Sequence, residues 1–176
     1  MPCEITSGIS LDCRDNAGGI EYAYILDATG EDITVTEAAG VVSAITVGST
    51  VINGLSDDMF LFDQVRQTAS MTETGTFSDE NGTVFFSNVV NLVFNKLEAT
   101  KLQQLTLLAQ NAKLLVIVKD NNGKFWMIGN ERGAVATSST AESGTAFGDR
   151  NGFSIELTGL APDAMFEVTV PEVAAP

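Results

Sequence analysis

Two long alternating stretches, Phe62–Glu73 and Val84–Phe94, restrict what this chain can fold into more than any other feature of its sequence. In the first, Val65, Ala69 and Met71 fall on one face and Arg66, Thr68, Ser70 and Thr72 on the other. In the second, Val84, Phe86, Val90, Leu92 and Phe94 share a face broken only by Asn88. The opposite face, Phe85, Ser87, Val89, Asn91, Val93 and Asn95, is mixed. Both stretches are longer than the usual strand of about five or six residues. A hairpin of that length, half polar on both strands, would present open edges and aggregate if it stood alone. Edges that pair with neighbouring copies, closed into a ring, remove that hazard.

Most of the remaining chain also reads as strand. Ile20–Leu26 is rich in β-formers and stops at the turn cluster Asp27-Ala28-Thr29-Gly30, and Val41–Val47 ends at Gly48. Leu114–Lys119 and Lys124–Ile128 flank Asp120-Asn121-Asn122-Gly123, whose Asn-Gly step suits a tight hairpin turn. Phe153, Ile155 and Leu157 alternate with Ser154, Glu156 and Thr158, and Phe166, Val168 and Val170 with Glu167 and Thr169. The connector Ala161-Pro162-Asp163 predicts that these two form a terminal hairpin, with residues 171–176 a loose tail. One helix is expected, Glu98–Gln110, with Leu102, Leu105, Leu108 and Ala109 at helical spacing and Thr100 with Gln103 as a capping box, or Glu98 as an alternative start. Its Leu stripe predicts a helix that covers a sheet. The segment Gly75–Gly82 echoes Gly144–Gly152. Shared turn chemistry explains the echo more simply than two related hairpins in one repeated sheet, although both readings stand.

Composition narrows the chemistry. The 176 residues, 44% of them hydrophobic, suffice for one domain with a core. No His is present, which removes His-based triads, dyads and metal sites. No SxxK sequence offers a Lys-activated Ser, and the acids fall in no hydrolytic motif, so no catalytic residue and no cofactor is expected. Neither Asp27–Asp32 nor Asp149–Gly152 gives a complete calcium loop, and the glycines at 144, 148 and 152 match no phosphate or dinucleotide fingerprint, so no metal is expected. Trp126, in an alternating hairpin beside Phe125, reads as core more readily than as a stacking platform. Cys3 and Cys13 are the only cysteines. A bridge between them is geometrically possible but unexpected, because nothing at the N-terminus resembles a secretory signal, and synthesis in a cytoplasm is the expectation. The longest apolar run, Leu114–Val118, is far short of the roughly 20 residues that span a bilayer, so no membrane partner is expected.

Nine Lys and Arg against 23 Asp and Glu give a net charge of −14, too few cations for a large nucleic-acid face. The charge is uneven: residues 1–65 carry −10, residues 66–95 carry −2, residues 96–132 carry +3 and residues 133–176 carry −5.

Three stretches together resemble a known family. They are Leu11–Gly19; Glu80–Phe86 running on through Asn95–Ala99; and Val118–Trp126 with Gly144–Gly152. In their order and spacing the chain resembles the tail tube proteins of long-tailed bacteriophages, in the form found among phages of Bacteroidota. The stretches cover 47 of the 176 residues, and none is a catalytic signature.

The resemblance implies a single mainly-β domain over 1–176, a β-sandwich or barrel with one flanking helix at 98–110 and an N-terminal arm at 1–19. It implies a virion protein of the phage tail, made in the bacterial host. Its copies would close into six-fold rings that stack into a tube, meet other tail proteins, and contact DNA only as it passes. On that reading 62–96 is a lumen hairpin, with Thr68, Ser70, Thr72, Ser87 and Asn91 facing the bore. The loop Thr76, Phe77, Ser78, Asp79, Glu80 and Asn81 would reach a neighbouring ring. The alternative is a β-sandwich decoration, fibre or other surface-binding module.

Overall fold

A computed structural model describes residues 8–9 and 15–169. Cys3, Cys13, most of the 1–19 arm and the 171–176 tail lie outside the described residues. The strands are β1 (Ile20–Asp27), β2 (Ile33–Ala38), β3 (Val41–Val47), β4 (Thr50–Ile52), β5 (Phe60–Asp63), β6 (Ser70–Ser78), β7 (Thr83–Asn95), β8 (Leu114–Asp120), β9 (Phe125–Ile128), β10 (Ala134–Glu142), β11 (Gly152–Ala161) and β12 (Phe166–Val168). A single-turn helix, α1 (Leu55–Asp58), precedes β5, and α2 (Ala99–Gln110) follows β7. The fold is mainly β, as the alternation predicts.

The apolar run Leu114–Val118 organises the layers. All five residues are buried in β8, which is covered on both faces. One face turns Leu114, Val116 and Val118 toward Ile25, Val90, Leu92, Ile155, Leu157 and the helix residues Leu105 and Leu108. The other turns Leu115 and Ile117 toward Tyr24, Ile33, Val42, Ile45 and Val168. β1 pairs along the whole of β8 on one edge, and β9 pairs on the other until Ile128. A single contact, Ala134 with Leu114, carries the sheet on to β10, β11, β7 and β6. The remaining strands run from β9 through β12 to β3 and β2.

The β8–β9 turn closes through its own side chain. Asp120 accepts hydrogen bonds from the amides of Asn122 and Lys124, both at 2.9 Å, and from the Trp126 indole at 3.2 Å. Trp126 packs against the core rather than standing free. Asn121 and Asn122 then hold the incoming chain: the Asn121 amide side chain donates to the Gly18 carbonyl at 2.6 Å, and the Ala17 amide donates to Asn122 at 2.8 Å.

Several expectations are corrected. The alternation of 62–73 is not one strand. β5 ends at Asp63, the chain turns through Gln67 with a positive φ of 63°, and β6 begins at Ser70. The break transfers the chain from the β1 layer to the β7 sheet, and it leaves Val65 exposed rather than on an inner face. Gln64 seals the transition: its side-chain oxygen accepts the Val93 amide at 2.8 Å, beyond the last β6–β7 pair. The expected terminal hairpin does not form. β12 leaves β11 and inserts between β9, antiparallel, and β3, parallel. On α2, Glu98 occupies the N-cap without a side-chain cap bond, Thr100 lies inside the helix, and Leu102 and Ala109 are exposed while Leu105 and Leu108 are buried. Thus α2 docks by a narrower stripe than its spacing predicts.

Because β8 serves both cores, Ile117→Ala should cost about 2–5 kcal/mol, read as a lower urea midpoint with an unchanged m-value.

Candidate assembly surface

β6, β7, β11 and β10 form one four-stranded antiparallel sheet. Its inner face is the core face of β7 and β11, and Asn88 is buried there, 2% exposed, among the apolar residues that flank it. The Glu73 carboxylate opposite Asn88 turns to the same side and accepts the Met165 amide at 2.6 Å.

The outer face is polar and built in rows across the strands. Ser70 stands opposite Asn91, then Glu156, then Ser138. Thr72 stands opposite Val89, then Thr158, then Val135, and Thr74 opposite Ser87, then Leu160. Farther along, Val93 meets Ser154 and then Thr140. The hydroxyls bond one another: Thr140 with Ser154 at 2.6 Å, and Thr137 with Thr158 at 3.1 Å and with the Glu156 carboxylate at 2.9 Å. A bulge between Ala136 and Ser138 places the Thr137 side chain on this face.

Of the residues expected on a polar face, the structure brings Ser70, Thr72, Ser87 and Asn91 together. Thr68 is not among them. It lies in the turn before β6, where its hydroxyl donates to the Val65 carbonyl at 2.6 Å. Half of the expected loop 76–81 is strand. Thr76, Phe77 and Ser78 pair with Phe85, Val84 and Thr83, and only Asp79, Glu80 and Asn81 form the turn with Gly82, whose φ is 60°. Phe77 stacks edge-on against Phe86 at 6.0 Å over Gly75, yet stays 67% exposed, with Val84 also exposed beside it and Phe85 exposed on the outer face opposite Thr76. Sequence reasoning missed Thr74, Thr137, Ser138 and Thr140 as members of this face. Continuing the two-fold period past Glu73 finds Thr74, whereas the hydroxyl run Thr137-Ser138-Ser139-Thr140, with only its two Thr β-branched, carries too little contrast to mark β10.

The four strands contain no Lys or Arg, and their acids are Glu73, Glu142 and Glu156, of which Glu73 faces inward. The surface therefore offers phosphates no cation. Both lateral edges are open. Among the described residues β6 pairs only with β7, and β10 beyond Ala134 pairs only with β11.

The two echoing segments close hairpins at opposite ends of this sheet. The β6–β7 turn lies beyond the Ala161 end of β11, and the 143–151 loop lies at its Gly152 end. The second loop is fixed by Asp149, whose carboxylate accepts the Thr145 amide at 2.8 Å and the Ala146 amide at 2.7 Å. Those donors hold its carboxyl below the usual Asp range. At the adjoining corner Lys96 pairs with Glu98, which lowers the Glu98 carboxyl and raises the Lys96 ammonium from their ordinary values.

Among the described residues no group of three or more His, Cys, Asp or Glu is placed to hold a metal ion, and no helix is long and apolar enough to cross a membrane. No family model matches the chain, and no curated protein matches it in sequence.

A carboxyl with a depressed folded pKa stabilises its loop above the unfolded Asp value of about 3.9, and that contribution is lost as pH falls through the folded value. The Thr145 and Ala146 amide resonances should therefore shift together with a midpoint below that of a free Asp. Asp149→Ala should move both at neutral pH while leaving the β11 resonances near Ile155 in place.

Proposed function

We propose that this chain is a structural subunit that assembles by edge-to-edge pairing of its four-stranded sheet into rings, and that the rings stack into a tube of the phage-tail kind. The observation that carries this reading is the pair of open edges. Four antiparallel strands leave β6 and β10 running in opposite directions. A rotation about an axis along the strands keeps each direction, so β10 of one copy meets β6 of the next as an antiparallel partner. The contact is head-to-tail and closes into a ring when the rotation closes. Every copy then gains ladder bonds on both sides, and no edge remains.

The hydroxyl-rich face would line the bore. Six copies at four strands each would give a barrel on the order of 40 Å between backbones, well beyond the 16–18 strands that already leave an aqueous channel. A wall rich in Ser, Thr and Asn, with Phe85, Val89, Val93, Val135 and Leu160 set among them and Glu156 as its central charge, supplies no counterion to DNA, so a duplex would pass without being held. Ser70, Thr72, Ser87 and Asn91 take the lining role on this reading, and Thr68 does not.

Negative-stain microscopy and sedimentation over a concentration series test the proposal. Rings or tubes are expected, and a protein that stays monomeric throughout would reject it. Proline blocks the edge directly. Of two successive residues in β10, one turns its N–H toward β11 and the other outward. Between Ser139→Pro and Thr140→Pro, one should therefore stay folded by circular dichroism yet fail to assemble. If whichever variant folds still forms normal rings, β10 is not the pairing edge.

Copies that each carry −14 repel one another, and salt shortens that repulsion to within about 8–10 Å near physiological ionic strength. Light scattering should therefore rise from low to moderate salt; a fall would mean that specific ion pairs hold the assembly.

A further inference from the structure

Phe147 is fully exposed, at the head of the 143–151 loop. A lone aromatic on a mobile tip would mean little, but this loop is pinned. Asp149 holds its near side, Arg150 pairs with Glu142, and Asn151 receives the Lys96 amide at 2.6 Å and the Leu97 amide at 2.9 Å. The ring is thus presented to solvent by a fixed scaffold, the situation of a docking anchor whose ordering has already been met.

The same end of the molecule holds an apolar cleft of 420 Å3 between β5 and α2. Leu61, Phe62, Phe94 and Leu105 line it, and Asp63 and Lys101 stand at its rim. Leu61 is half exposed, and Phe62 and Phe94 meet with ring centroids 6.1 Å apart at its floor. Knob and cleft both border the Phe94–Leu97 segment, but from opposite sides of the sheet. The loop joins β10 to β11, whereas Gln64, next to β5, caps β7 on the edge away from β11.

We infer that Phe147 of one copy seats in the β5–α2 cleft of the next copy, side by side within a ring. The occupant follows from the topology. When β10 of one copy lies along β6 of the next, β6 ends at Ser70, opposite Asn91. At the level of Phe94 the neighbour therefore presents β5 and its cleft to the incoming 143–151 loop. This contact rests on the edge-pairing proposal and adds to it a second, apolar attachment.

The test uses the full chain. Phe147→Ala should leave circular dichroism and thermal melting unchanged but raise the concentration needed for ring formation by about tenfold or more, and Phe147→Leu should recover most of the loss. A photoreactive benzoyl-phenylalanine at position 147, irradiated in assembled protein, should join to peptides spanning 60–63 or 100–108 of another copy. Cross-links to residues 77–85 of another copy, at the opposite end of the sheet, would assign Phe147 to contacts between rings, and cross-links to residues 1–14 would give it the N-terminal segment as its partner; either result overturns the inference. If wild type and Phe147→Ala assemble at the same concentration, the cleft contact fails while edge pairing stands. If wild type never assembles, both fail.

Discussion

Everything in this fold depends on a single strand having no solvent-facing side. Leu114–Val118 is buried on both faces, so two apolar layers must form at once, one from β2, β3 and their neighbours and one from β7, β11 and α2. Cooperativity follows, because loosening either layer exposes half of the same strand. The arrangement also sets what the outer layers are free to do. With both cores satisfied at β8, the far face of the β6–β7–β11–β10 sheet carries no packing duty, and it is there that hydroxyls and amides replace apolar side chains.

That freedom explains why the alternation of β7 and β11 is so clean. Each strand gives one residue in two to the core and the other to the polar face. β10 is nearly all exposed because it meets the core only near its start, through Ala134 and Ala136. An edge strand of this kind, long and without a single Lys, lacks the usual protection against pairing with other chains. A monomeric protein under selection for solubility would place a charge or a proline in it. Here the only charge is Glu142 at the strand's last position, paired with Arg150, and the one irregularity is the bulge at Thr137, which re-aims a single hydroxyl.

Much of this was legible in the sequence, for a physical reason: a strand with one buried and one wet face writes its orientation in a two-fold period. β7 and β11 follow from that period, and so do Ser70, Thr72, Ser87 and Asn91 as one face, whereas β1, β3, β8 and β9 follow from runs of β-formers bounded by turn residues. The failures share a different cause. The 62–73 stretch breaks at the local turn through Gln67, and Gln64 meets the Val93 amide through a tertiary contact that alternation does not encode. β12 was read as the partner of β11 because a short connector with Pro suggests a hairpin, yet its apolar residues belong to the other layer. β2 and β10 were invisible because they are mostly exposed, and their β-branched polar residues carry little amphipathic contrast.

The placement of charge joins these points. Residues 15–65 hold nine acids and no base. That segment builds β1 through β5, the layers on the side of β8 away from β7 and β11 together with the β5 edge. The four strands of the polar sheet hold three acids and no base, and one of the three is turned inward onto the Met165 amide. On the assembly reading, most of the −14 therefore sits outside the ring, where repulsion between finished tubes keeps them dispersed at little cost to contacts inside a ring. A bore that carried the same density of carboxylates would repel its own neighbours across the lumen and oppose closure. A bore that carried lysines would hold the DNA it has to release. On that reading the hydroxyl face avoids both penalties, and the acidic outer layer would keep a sheet with two open edges dispersed until it met another copy.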